Sequence, residues 1–281
     1  MAIKKTRKNR KKGGSANTTV IVTHNSGFFS MCSVRLREII LYFNKHKKLP
    51  TRVNSSKQFN SFKENGKKNV NLTSQIFEDY NNFPNIEYKH DITYTKANGE
   101  YQFTDYKQTN FEDTIPFIHK YFSPSEEIRN IVKEIESKYI KTDYSNICVV
   151  FYRGNDKSQE TQIASYDEFI NQAKIILEKN PNVQFLVQSD ETEFIETFMK
   201  TFPEKSFYLK DYIRHMTKRQ NLTSRVFTDR VGEYGKYFLA IIIMMAKAKH
   251  IIFGSGNCSV WIIYYRENSD NIHQFLNGTW V

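Results

Sequence analysis

Arg153, Asp156, Lys157 and Glu160 stand together directly after the apolar run 147–152, Ile-Cys-Val-Val-Phe-Tyr. A guanidinium fork and an ammonium at this spacing suit an anionic, phosphate-bearing ligand. Gly154, between them, lets a backbone or a ligand approach closely. Asp156 is placed to orient Arg153 or Lys157, and Glu160 offers a carboxylate able to take a proton from a hydroxyl nucleophile. The same residues also fit a surface turn closed by a salt bridge.

Two further clusters follow apolar runs in the same way. Gln188-Ser189-Asp190-Glu191 comes after residues 183–187, and Gly254-Ser255-Gly256-Asn257-Cys258-Ser259 after residues 250–253. Asp190 suits hydrogen bonding to a nucleobase or a ribose, and with Glu193 three residues on it equally fits a helix capping box. Ser255, Asn257 and Ser259, with the amides around them, suit a phosphate at a helix N-terminus, where an ordinary N-cap would look the same. Neither a Gly-x-Gly-x-x-Gly nor a Walker sequence is present.

The elements that must position these clusters are strands alternating with helices. Strands are expected at 147–152, 183–187, 206–209 and 250–253, with helices from Ser165 (boxed by Glu168), around 194–199, over 237–248 and over 260–266. Such alternation implies a parallel sheet, and ligands of open α/β sheets bind beyond the carboxyl ends of the strands. The three clusters therefore converge on one crevice. The region before residue 143 opens as strand 18–23, a turn at His24-Asn25-Ser26-Gly27 and a helix carrying Phe29, Leu36, Ile40 and Phe43 on one face. His24 and Asn25, at that strand end, are candidate contacts to a second substrate, although a lone His is more often structural. Residues 51–122 read poorly, with weak strand signals at 92–94 and 101–103 and a helix near 74–80. A helix capped by Ser123 with Pro124 at its first position follows, and residues 141–145 form the expected boundary.

The expected organisation is a basic tail over 1–16, an N-terminal α/β domain over 17–142 and a Rossmann-like domain over 143–281. The 281 residues and a 39% hydrophobic content suffice for two such units. Lys4, Lys5, Arg7, Lys8, Arg10, Lys11 and Lys12 carry seven positive charges with no acid among them, so without them the net charge of +11 becomes +4. Residues 4–12 suit weak contact with nucleic acid or an anionic membrane surface, which leaves a nucleic-acid-associated protein as one alternative. No apolar run follows the basic residues, none reaches the ~20 needed to span a bilayer, and the expected location is cytoplasmic. Three widely spaced cysteines give neither a disulfide framework nor a zinc pattern. Asp-x-Asp is absent, and the seven histidines are scattered, so no metal is expected.

The order of these motifs resembles the GT-B fucosyltransferase superfamily, which includes α-1,6-fucosyltransferases, nodulation fucosyltransferases and protein O-fucosyltransferases. Its His-x-Arg-x-x-Asp motif, often followed by Lys, is matched at Arg153, Asp156 and Lys157, and its Thr-Asp-Asp-like cluster by Ser189-Asp190-Glu191. Ser255-Gly256-Asn257-Cys258-Ser259 takes the place of its Ser-rich loop, and Glu160 falls within one position of the base proposed in the α-1,6 group. Phe151 stands where the family has His, and Asn257-Cys258 where it has paired Ser.

The resemblance implies two Rossmann-like domains facing across a cleft and a metal-independent, inverting transfer of fucose from GDP-fucose to a hydroxyl of a glycan or a protein. Arg153, Lys157 and Glu160 would carry the catalysis. Arg153, Asp156, Asp190, Ser255, Asn257 and Ser259 would hold the nucleotide-sugar, and His24 and Asn25 would face the acceptor. The departures at Phe151 and Asn257-Cys258 leave a second alternative, a degenerate relative that binds a nucleotide or a glycan without chemistry.

Overall fold

The computed structural model describes residues 18–63, 70–94, 100–155, 157–211 and 231–281. The basic tail, Asp156 and residues 212–230 lie outside the described residues.

A six-stranded sheet forms the C-terminal half. Its strands are β3 (Ile147–Tyr152), β4 (Gln184–Ser189), β5 (Ser206–Tyr208), β6 (His250–Gly254), β7 (Ile272–Leu276) and β8 (Thr279–Trp280). Their order is β5-β4-β3-β6-β7-β8, and all pair in parallel except β7 with β8. Every residue of β3 is buried, because helices cover both faces of the sheet and a strand enclosed twice must be apolar throughout. Successive side chains point to opposite faces. Ile147, Val149 and Phe151 accordingly join one core cluster, and Cys148, Val150 and Tyr152 the other.

The second cluster is closed by α5 (Tyr166–Lys179) and α6 (Thr192–Thr201), through Phe169, Ala173, Phe194 and Phe198. Ser165 caps α5 in a reciprocal capping box with Glu168, as its spacing predicts. The first cluster is closed by α7 (Val231–Met245) and α8 (Asn257–Arg266), and it continues without a break into the N-terminal half.

Among its described residues that half carries a two-stranded parallel sheet, β1 (Thr19–Ile21) with β2 (Arg52–Asn54), and the helices α1 (Phe28–His46), α2 (Thr73–Ile76), α3 (Phe111–Phe122) and α4 (Glu126–Tyr139). Aromatic side chains join the halves, with ring centroids 4.9 Å apart for Phe29 and Phe238 and 4.7 Å apart for Phe122 and Trp261. Fully buried Trp261 also donates its indole N–H to Ser33 Oγ of α1, at 2.9 Å. Arg35 of α1 is buried against Phe122, Tyr121 and Phe77, and it donates to the Tyr121 carbonyl at 2.7 Å. Burial lowers its pKa to about 10, so it remains a cation held by ring faces and a carbonyl.

Several local expectations change. Residues 92–94 run as loop and Glu100–Phe103 as a 3-10 turn, because these segments lack partner strands; α3 forms where no helix was expected. Ser125 rather than Ser123 caps α4, since Ser123 terminates α3 and Pro124 bridges to Phe77. The strands β7 and β8, beyond the last expected helix, extend the sheet.

Candidate functional site

The chain runs from β3 outward to β4 and β5, then returns to start β6 on the other side of β3. The β3–β6 gap is thus the topological switch point, where the loops after neighbouring strands diverge and leave a crevice. Arg153 leaves β3 and Gly254 and Ser255 leave β6 at this gap, and with residues 161–164 beside them they line a small pocket.

Register explains the first contact. The last paired residues of β3 and β4 are Tyr152 and Ser189, so Arg153 and Asp190 emerge side by side. Arg153 Nε donates to Asp190 Oδ2 at 2.7 Å, and the Gly154 N–H donates to Asp190 Oδ1 at 3.0 Å. Asp190 therefore orients the Arg153 guanidinium and does not cap α6, whose N-cap position is Glu191 with no side-chain cap. Arg153 Nη1 crosses to the first turn of α8, 3.4 Å from Cys258 Sγ.

The carboxylate of Glu191, itself 3% exposed, lies on Gly154 and accepts from the Tyr166 hydroxyl at 2.5 Å. Burial, then the bond to Glu191, pushes the Tyr166 pKa up, so Tyr166 acts as a donor. A Cβ on residue 154 would come within 2.4 Å of the Glu191 carboxyl carbon. Gly154→Ala is expected to destabilise the protein by about 1–3 kcal/mol through this clash, read as a lower midpoint in urea unfolding. An unchanged midpoint would show that Glu191 moves aside freely.

Lys157 is nearly buried. It pairs with Glu160 Oε2 at 2.5 Å and reaches Gln102 Oε1 at 3.4 Å, while Glu160 keeps 44% of its side chain exposed. Its stem lies over Gly256, whose added Cβ would stand 3.0 Å from Lys157 Cε. Asn257 is held from two sides, accepting from Ser33 Oγ and donating to Gln102 Oε1, both at 2.9 Å. The hydroxyls of Ser255 and Ser259 already serve backbone carbonyls, those of Phe275 at 2.8 Å and Gly254 at 2.6 Å. What the loop presents to a ligand is backbone. No side chain caps α8, so amides of its first turn and the positive end of its dipole face the gap.

The structure brings Arg153, Asp190, Lys157, Glu160, Ser255, Asn257 and Ser259 to one end of the sheet. His24 and Asn25 make other contacts: His24 Nε2 lies 3.0 Å from Ser30 Oγ, and Asn25 accepts from the Asn60 N–H at 3.2 Å. Burial, then Arg37, lowers the His24 pKa. Gln102, Tyr106, Ser33 and Gln274 also belong to this network, and the sequence reading missed them. They come from segments without a motif and meet the loop only through the tertiary fold.

No family model and no curated protein matches the chain. Solved structures do. NodZ α-1,6-fucosyltransferase soaked with GDP-fucose superposes with a TM-score of 0.57 at 10% identity, covering 94% of this chain and 98% of that one. Fucosyltransferase NodZ from Bradyrhizobium gives 0.57 at 11% identity, covering 95% of this chain and 98% of that one. NodZ α-1,6-fucosyltransferase co-crystallized with GDP gives 0.50 at 13%, with coverages of 95% and 98%. At these identities the likeness is one of fold, and it is the fold that the motif order resembles. Among the described residues no helix is long and apolar enough to cross a membrane, and no three His, Cys, Asp or Glu side chains are placed to hold a metal ion.

Proposed function

We propose that the protein is a glycosyltransferase whose β3–β6 crevice binds a nucleotide-sugar, GDP-fucose, and passes the sugar to a hydroxyl of a glycan or a protein. The observation that carries this reading is the meeting of Arg153, Lys157 and the uncapped N-terminus of α8 at the switch point. Three sources of positive potential there suit a departing diphosphate, so charge neutralisation needs no metal ion. The fold shared with NodZ, whose structures were obtained with GDP and GDP-fucose, supports the choice of donor.

In this mechanism Arg153, fixed by Asp190, and Lys157 stabilise the leaving diphosphate. Glu160 takes the proton of the acceptor hydroxyl as its oxygen attacks the anomeric carbon. The attacking oxygen forms the new glycosidic bond while the bond to the diphosphate breaks on the opposite face, so the configuration inverts. Asp156 belongs to the same proposal as a donor contact, and His24 and Asn25 as acceptor contacts.

The test is release of GDP from GDP-fucose in the presence of a chelator, with the anomeric configuration of the product read by NMR. Donor consumption with inversion is expected. Binding of the donor without consumption, over a panel of glycan and peptide acceptors, would favour the second reading, a relative that binds without chemistry. That reading draws on Phe151, 5% exposed within the core where the superfamily has a polar His.

A further inference from the structure

The loop after β6 is tied to a distant part of the chain. The Tyr106 hydroxyl accepts the Gly256 N–H at 2.9 Å, and it stands 2.8 Å from the Gln102 carbonyl and 3.2 Å from that of Gly256. Tyr106 is 2% exposed, and burial raises its pKa, so the hydroxyl keeps its proton and bonds in both directions. The Gln102 side chain accepts from Asn257 Nδ2 and Lys157 Nζ on the same oxygen, with the Phe103 ring 5.5 Å from that ammonium. Gln274 of β7, with no exposed surface, closes the circuit. Its Oε1 accepts from Tyr106 N at 2.9 Å, and its Nε2 donates to Thr104 O at 2.8 Å and Ser255 Oγ at 2.9 Å.

We infer that residues 102–106 form a positioning strap, supplied by the N-terminal half, that sets the donor-phosphate loop; this rests on the donor reading above. Tyr106 and Gln102 are its positioning residues. Tyr106 fixes the peptide that opens α8, and with it the direction of the amides behind it. Gln102 holds Lys157 and Asn257 at one distance from each other. Neither side chain is required to touch the donor. Their effect is expected on the phosphate-bearing part of the ligand, because the contacts that Tyr106 and Gln102 make are to the loop and to Lys157.

Tyr106→Phe and Gln102→Leu test the strap in the full chain by two readouts. Hydrogen exchange of the amides over residues 254–260, in ligand-free protein, is expected to quicken about tenfold in Tyr106→Phe, which removes the acceptor of the Gly256 N–H. Affinity for GDP is expected to fall about tenfold in both variants while affinity for guanosine stays at the wild-type value. Wild-type exchange in the loop overturns the strap. So does altered exchange with unchanged GDP affinity, or an equal loss for guanosine, which would mark a purely structural role. A wild-type protein that binds no GDP overturns the donor reading instead, and the exchange rates then decide the strap alone.

Discussion

Arg153→Ala is expected to lose GDP affinity by about a hundredfold, the size expected when one partner of a buried charge contact is truncated, and turnover with it. Its Nε is committed to Asp190, which fixes the plane of the guanidinium, and its Nη1 is directed at the first turn of α8. A lysine cannot reproduce that fork, so Arg153→Lys should keep the charge and still lose most of the affinity. The Arg153→Ala change also strips Asp190, 5% exposed, of its cation. A buried carboxylate left this way costs about 3 kcal/mol of stability. The double change Arg153→Ala/Asp190→Asn removes both charges, restoring much of the stability without restoring binding. Calorimetric titration beside thermal melting separates the two effects. GDP binding unchanged in a folded Arg153→Ala protein would remove Arg153 from the donor site.

The second large effect is on chemistry rather than affinity. Glu160→Gln is expected to slow sugar transfer by about 10²–10⁴-fold, the range for loss of a general base, with GDP affinity unchanged or slightly raised. Glu160 is the outward-facing member of its pair with Lys157, so its carboxylate is within reach of an incoming acceptor. Removing its charge also leaves Lys157 with one anion fewer to balance, which favours the diphosphate. GDP release measured at saturating donor reads kcat directly. A variant as fast as wild type would assign the base to another residue.

The C-terminal half was legible because each of its elements announces itself locally. β3 is a fully apolar run bounded by a turn and an Arg, and the Ser165–Glu168 box marks its helix to the residue. Parallel strands in register then dictate that Arg153 meets Asp190. The role of Asp190 was harder, since an Asp three residues before a Glu satisfies capping chemistry equally well; the Arg153 fork and the Gly154 N–H outcompete α6 for its oxygens. In the Ser255–Ser259 loop the hydroxyls looked like phosphate ligands, but backbone carbonyls claim them, and the amides remain.

Residues 51–122 gave little because neither a period of two nor one of 3.6 persists there. Their short 3-10 turns are held by distant partners, as Tyr106 is by Gln274 and Gly256. Such a polar contact, 150 residues apart in the chain, leaves no mark on local spacing. Phe103, which looked like a strand residue, serves instead as the ring beside the Lys157 ammonium.

The central claim is that the switch-point crevice is a nucleotide-sugar site, and calorimetric titration of the full chain with GDP and GDP-fucose, against UDP and ADP, in a chelating buffer, tests it most directly. Saturable binding of the two guanine ligands, at least about tenfold tighter than UDP or ADP and lost in Arg153→Ala, is the predicted result. Equal binding of all four ligands, or binding that survives Arg153→Ala, would contradict it.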